Sequence, residues 1–135
     1  MKTRIALVFL AVSIAAVAAY AVVQFTVTVH ASPASGYALS PPPNKMSMVT
    51  FTAVANDVPT GTTKRFFFQL NGPNGNRMTN AVTTAATNAS WTPTPPPGPG
   101  TYQLIVTVGL TRTSDNAALG QAQKILDGYV IKAAP

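Results

Sequence analysis

The 135-residue chain has no cysteine and no glutamate, and charged residues make up only 9% of it. Without cysteine it can form no disulfide bond and carry out no thiolate chemistry, so an exported domain of this composition must rely on its hydrophobic core. Its acidic residues are three aspartates in separate predicted loops: Asp57, Asp115 and Asp127. This scattering excludes the paired carboxylates that general acid–base catalysis uses.

Metal ligands are equally scarce in the sequence. His30 is the only histidine, and one histidine with dispersed aspartates cannot supply the three or four clustered ligands of a metal site. Met46 and Met48 share a strand face and have the sulfur that copper prefers, but the pattern favours them as packing residues. No glycine-rich loop leads from a strand into a helix. We therefore expect no enzyme, no cofactor and no metal.

Positive charge is more frequent than negative charge, with a formal net charge of +6. Lys2 and Arg4 contribute two of these charges, and the other bases are scattered apart from the pair Lys64–Arg65. A nucleic-acid interface would show a clustered basic stripe with aromatic residues between the bases. The sequence therefore predicts no nucleic-acid partner, and it gives no sign of a small-molecule substrate.

An unbroken apolar run, IALVFLAVSIAAVAAYAVV, covers residues 5–23. A helix needs about 20 apolar residues to cross a bilayer. Lys2 and Arg4 precede the run, and the next basic residue is Lys45, so the positive-inside rule places the N-terminus in the cytoplasm. We predict a single transmembrane helix over residues 1–24 in the cytoplasmic membrane, with the rest of the chain periplasmic or extracellular.

A cleaved signal peptide is the alternative interpretation of the same run. Lys2 and Arg4 fit its basic region, and Ala19-Tyr20-Ala21 fits its small-x-small cleavage site. The run is longer than the apolar core of about 7–15 residues that a signal peptide has, which favours a retained helix.

The predicted helix has two different faces. One carries the larger side chains Leu7, Leu10, Ile14 and Val17. The other carries only alanines, and small residues let a second membrane helix approach closely. We interpret the alanine face as the contact with other membrane-protein subunits, although alanine is also simply common in such segments: Ala11, Ala15, Ala18 and Ala19.

After the helix, the pattern changes to strands and turns. Residues 25–44 are interpreted as one strand followed by a proline-rich linker, and residues 45–135 as one extracytoplasmic β-domain. Apolar and polar residues alternate in the clearest strands, as expected when one face is buried. The strands predicted within the domain cover residues 46–55, 64–70, 78–84, 89–92, 101–108 and 129–132.

Two structures are open for residues 113–128. Ser114 could cap a short helix through Leu119. Alternatively, residues 123–126 form a strand, and Asp127-Gly128 forms a hairpin turn or a bulge before Tyr129. Asp-Gly between apolar runs is a strong hairpin signal, so we favour the second structure.

Residues 65–108 carry a recognisable pattern: FFFQLNGPNG, then WTP, then PGTYQLIVTV. It resembles bacterial immunoglobulin-like modules, which have a W-x-P segment followed by a PGTY strand. The resemblance implies an Ig-like two-sheet β-sandwich, with Tyr102 as a tyrosine corner, and it implies no particular activity. In such a sandwich we expect Trp91 in the core. Asn88-Ala89-Ser90 is a glycosylation sequon of low specificity.

Three classes of function fit these expectations. The favoured class is a non-catalytic, single-pass accessory subunit of a larger membrane complex, by analogy photosynthetic or respiratory. The second is a filament subunit similar to type IV pilins, but the small residue before the leader cut and the acidic residue early in the helix are missing. The third is a secreted binding module whose signal peptide has been removed.

Overall fold

The computed structural model describes residues 23–38 and 48–133. They form a mainly β structure of two sheets, which confirms the predicted fold class at the level of a β-sandwich. One sheet has the strand order β1-β3-β6 and the other β2-β8-β7-β4-β5. Neighbouring strands are antiparallel except for β2 and β8. The strands are β1 (Thr26–Ser32), β2 (Tyr37–Ala38), β3 (Thr50–Asn56), β4 (Thr62–Asn71), β5 (Arg77–Thr84), β6 (Asn88–Trp91), β7 (Gly100–Arg112) and β8 (Ala118–Lys132).

Alternating side chains build the core between the two sheets. On β4 and β7 every second residue is buried, and the register places Phe66 opposite Val108 and Phe68 opposite Val106. The smaller sheet contributes Phe51 and other fully or nearly buried residues to the same cluster. Because a slip of one residue would turn these side chains to solvent, burial fixes the register.

The strand after the apolar run belongs to this sandwich. β1 pairs with β3 over its whole length, from Thr26 opposite Asn56 to Ser32 opposite Thr50. β2 follows within the segment that we interpreted as linker and pairs with the end of β8. From composition we interpreted residues 25–44 as separate from the β-domain. In the structure, the described residues of this segment pair with strands of the β-domain.

The predicted transmembrane helix falls almost entirely outside the described residues. Residues 1–22, including the alanine face, are not among them, and neither are residues 39–47 with the three consecutive prolines. Within the ranges 23–38 and 48–133, no helix has the length and apolarity that crossing a membrane requires. The anchor therefore stays a prediction.

Residues 118–132 form one strand, so the less favoured alternative, a short helix after Ser114, is wrong. The chain reverses instead at residues 113–117, where the Asn116 N–H donates to the Arg112 carbonyl over 2.7 Å. Asp127 and Gly128 together lie opposite Gln103, because the register changes between the pairs Tyr102–Tyr129 and Leu104–Leu126.

This two-to-one pairing is a β-bulge, with Gly128 at a φ of +69°. The bulge was one of the two forms that we favoured, and the hairpin turn at this position is wrong. The extra residue shifts the alternation of β8 by one, so that the side chains of Tyr129 and Ile131 face the core, where they are 1% and 2% exposed.

Candidate functional site

The sandwich has two ends, which differ in composition. We call proximal the end where the chain enters at Val23; it carries the turns 57–61, 85–87 and 113–117. We call distal the opposite end, which carries the loops 33–36, 72–76 and 93–99. Among the described residues a cleft lies at each end, and each has a mainly apolar lining that includes one cation.

At the proximal end, the chain is held from its first described residue. The Val23 N–H donates to the Leu119 carbonyl over 2.8 Å. Phe25 and Val27 then enter the core, where they are 9% and 6% exposed. No spacer therefore separates the end of the apolar run at Val23 from the sandwich.

Lys64 is buried at the proximal end with only 4% of its surface exposed. It lies on the inner face of β4 because it is two residues before Phe66 in the alternation. Its Nζ donates to the carbonyls of Thr62 over 3.1 Å and Ala85 over 2.8 Å. Thr62, two residues earlier, is also buried, and its Oγ1 donates to the Pro59 carbonyl over 2.8 Å. The two buried polar residues of the described core, Thr62 and Lys64, thus both lie toward this end among apolar neighbours.

Beside Lys64 is a cavity of about 410 Å³. The turn 58–61 forms one wall, and Ala85 and Thr87 come from the connection between β5 and β6. Thr113 completes the lining, and its hydroxyl lies 3.0 Å from that of Thr63. The cavity therefore combines one lysine and several threonines with a mainly apolar wall.

Tyr102 organises the distal end. Its hydroxyl donates to the Gly98 carbonyl over 2.7 Å, and burial raises the pKa of Tyr102 above its usual value of 10.0. A tyrosine corner makes a contact of this kind, to the backbone a few residues upstream. The ring lies so close to Gly72 that a Cβ there would be 2.5 Å from Cε2. The immunoglobulin-like family itself stays a prediction.

The distal cleft has a volume of about 300 Å³. Its walls are mainly apolar and come from Tyr102, Leu70, Met78 and the prolines 95–97. Arg77 is exposed and contributes the cation of this lining. Such a surface can hold an apolar or proline-rich segment, but these residues supply neither a nucleophile nor a general base.

The residues singled out in the sequence do not converge on one site. His30 is exposed on β1 opposite Thr52, and Asn88 is exposed at the start of β6. Trp91 is half-buried and packs against the core, with ring centroids 6.3 Å from Phe51 and 5.8 Å from Phe68. Among the residues of known placement, no group of three histidine, cysteine or acidic residues is close enough to hold a metal.

Met48 does not pack as predicted. It precedes β3 and is 53% exposed, while its neighbour Val49 is fully buried. The predicted partner-contact residues Ala11, Ala15, Ala18 and Ala19, together with Met46, lie outside the described residues.

The buried lysine is the feature that sequence reasoning missed. In the sequence, Lys64 stands out only as one half of the pair Lys64–Arg65. The signal was present in the alternation of β4, which continues inward from Leu70 through Phe66 to Lys64. No protein-family model, curated protein or solved structure matches this chain.

Proposed function

We propose that this chain is a non-catalytic, single-pass subunit of a larger membrane protein complex. In this proposal residues 1–24 anchor it in the cytoplasmic membrane, and its sandwich braces partner subunits on the extracytoplasmic face. The observation that carries the proposal is the Val23–Leu119 hydrogen bond. Because the sandwich begins where the apolar run ends, a membrane helix over that run would hold the domain directly at the bilayer surface.

This attachment gives the two ends different surroundings. The proximal end faces the membrane, and the distal end, with Tyr102 and the proline-lined cleft, points away from it. The distal cleft and the alanine face of the helix are then the two surfaces that meet partner subunits, one outside the bilayer and one within it.

A secreted binding module is the second candidate, and one observation favours it. Cleavage after Ala21 would leave Val22 as the first residue and would keep Phe25 and Val27, which are buried in the core. The domain would lose none of the described core with the signal peptide, and the distal cleft would then be the binding surface.

Intact-mass measurement on the native protein, extracted from membranes with mild detergent, separates these proposals. We expect the mass of residues 1–135, with or without the initiator methionine, and a fixed set of co-eluting proteins. A mass that lacks about 20 N-terminal residues, as signal cleavage predicts, would replace the subunit proposal with the secreted module. Loss of only the first few residues would indicate a pilin-like subunit.

The Ala15→Leu substitution tests the alanine face directly. The larger side chain should prevent close helix approach and reduce co-purification of partner subunits. Ile14→Leu, on the opposite predicted face, is the matched control and should leave co-purification unchanged. The β-domain should unfold at the same urea concentration in both variants. Equal co-purification of the two variants would argue against the packing face.

A further inference from the structure

The ammonium group of Lys64 brings a positive charge into the proximal end without a carboxylate beside it. Within the part of the chain that the structure describes, no carboxylate oxygen lies within 4.0 Å of its Nζ. The ion pair at this end joins Arg112 to Asp115 over 3.1 Å, so Asp115 is already engaged. A buried charge is costly unless it is paired and hydrogen-bonded, so this position favours an incoming anion.

The hydrogen bonding of Lys64 leaves room for such an anion. An ammonium group has three N–H donors, and two of them donate to the carbonyls of Thr62 and Ala85. Thr62 and Ala85 also line the adjacent cavity, as does Lys64 itself. Its volume of about 410 Å³ falls in the range of about 300–1,000 Å³ that small-molecule sites occupy. The third N–H is therefore available beside a cavity of suitable size.

We propose that this cavity binds one monoanionic group, a carboxylate or a phosphodiester. The anion accepts the third N–H of Lys64, and Thr87 and Thr113, which also line the cavity, contact the rest of the ligand. A single negative charge matches the lining, because Lys64 is the one cation among its described residues. Dianionic phosphate groups are typically held by arginine forks or helix N-termini, and neither is part of this lining.

The anion has two chemical sources. One is a free carboxylate-bearing small molecule that enters from solution. The other is the phosphodiester of a lipid head group, because the cavity lies at the end where the apolar run joins the sandwich. Both sources present the same single charge to Lys64, so binding is tested first and the source second.

Amide chemical shifts of the full-length, ¹⁵N-labelled protein in neutral detergent measure the binding. Acetate and dimethyl phosphate are the probes, and their uncharged counterparts acetamide and trimethyl phosphate are the controls. We expect saturable shifts at Thr62, Lys64 and Ala85 with the two anions only, with roughly millimolar dissociation constants for ligands this small. Equal shifts with the neutral compounds, or no shifts with either anion, would overturn the proposal.

Variants then test whether Lys64 holds the anion. Lys64→Met keeps a chain of similar length without the charge and should weaken acetate binding by about tenfold or more. Lys124→Met, at an exposed position on β8, is the matched control and should bind as the native chain does. Thr87→Val, in an exposed turn, should weaken binding severalfold without affecting the core. Undiminished acetate binding by a folded Lys64→Met variant would contradict the assignment.

Nanodiscs identify the source. One set contains phosphatidylglycerol, and the other contains a neutral glycolipid without phosphate. Shifts at Thr62 and Ala85 with phosphatidylglycerol alone would assign the anion to a lipid head group. Shifts that appear only when a soluble anion is added, in either nanodisc, would assign it to a free ligand. The intact mass, and not these chemical shifts, tests whether the chain is anchored. The anchored-subunit proposal and the anion-site proposal can therefore fail independently.

Discussion

The two ends of the sandwich are stabilised by different means. At the distal end, Gly72 and Gly100 lie close to the ring of Tyr102, whose hydroxyl donates to one backbone carbonyl. At the proximal end, a buried ammonium group and threonine hydroxyls surround a cavity. The close contact at Gly72 leaves little room for a larger residue, whereas the cavity beside Lys64 has space for a ligand. The comparison therefore predicts that the packing around Tyr102 determines stability, whereas the cavity beside Lys64 tolerates substitution and binds the anion.

The largest effect is expected from Phe51→Ala. Phe51 is fully buried, and its ring contacts Trp91 and, at a centroid distance of 5.4 Å, Tyr129. Truncation should lower the free energy of unfolding by about 3–5 kcal/mol, measured by urea denaturation. Phe66→Ala, equally buried near Lys64, is the proximal counterpart and should cost about 1 kcal/mol less, because aromatic pairs add stability beyond burial. A larger loss for Phe66→Ala would reverse the comparison.

Gly72→Ala should have the next largest effect. Its new Cβ would lie 2.5 Å from Cε2 and 2.9 Å from Cδ2 of Tyr102, so either the Tyr102 ring or the loop 72–76 must move. We expect a loss of about 1–3 kcal/mol, as in overpacked cores. In a Tyr102→Ala background the additional loss should disappear, which a double-mutant cycle measures. Gly98→Ala, at the same end with no atom within 4 Å of the new Cβ, should be nearly neutral.

Tyr102→Phe removes one hydrogen bond and should cost about 1 kcal/mol at neutral pH. Burial raises the pKa of Tyr102 in the folded state, so the folded chain holds this proton more tightly than the unfolded chain. The resulting stability is fully present below the usual pKa of 10.0 and is lost as pH rises through the folded value. The difference in stability between the native chain and Tyr102→Phe should therefore shrink in alkaline solution. A difference that is independent of pH would contradict the burial of this hydroxyl.

The smallest change in stability is expected from Lys64→Met. Methionine removes the cost of burying a charge but leaves the carbonyls of Thr62 and Ala85 without their lysine donor. The two effects oppose each other, so the free energy of unfolding should change by less than about 1 kcal/mol. Urea denaturation at neutral pH measures it beside Lys124→Met. A large loss would mean that the lysine holds the proximal end together, and the contrast between the two ends would then fail.

Much of the sandwich could be predicted from local alternation. β4 and β7 were clear because their inward residues repeat with a period of two. The pairing of β1 with β3 could not be predicted in this way. The two strands are separated by a proline-rich segment, and local sequence does not show which strands pair. The pair Asp127-Gly128 is ambiguous for a related reason, because the same two residues can form a hairpin turn or a bulge. Which of the two forms depends on whether the chain reverses direction there or continues along the same neighbouring strand.

The candidate site was harder to predict than the fold. The role of Lys64 emerges only when the alternation of β4 is followed one step past its apolar residues. Its hydrogen-bond acceptor Ala85 lies on a different connection, between β5 and β6. A cavity between three turns has no signature in any one of them, so counting charges along the chain could not locate it.

The pairing of β1 with β3 also has a mechanical consequence. Hydrogen bonds in an antiparallel pair run perpendicular to the strands. A pull on the chain from its N-terminal side acts along β1, in the direction from Ser32 to Thr26, and loads the whole ladder with β3 in shear. The bonds then share the force and must fail together instead of opening one by one. An anchor that continues into β1 would connect the sandwich to the membrane through its most force-resistant geometry.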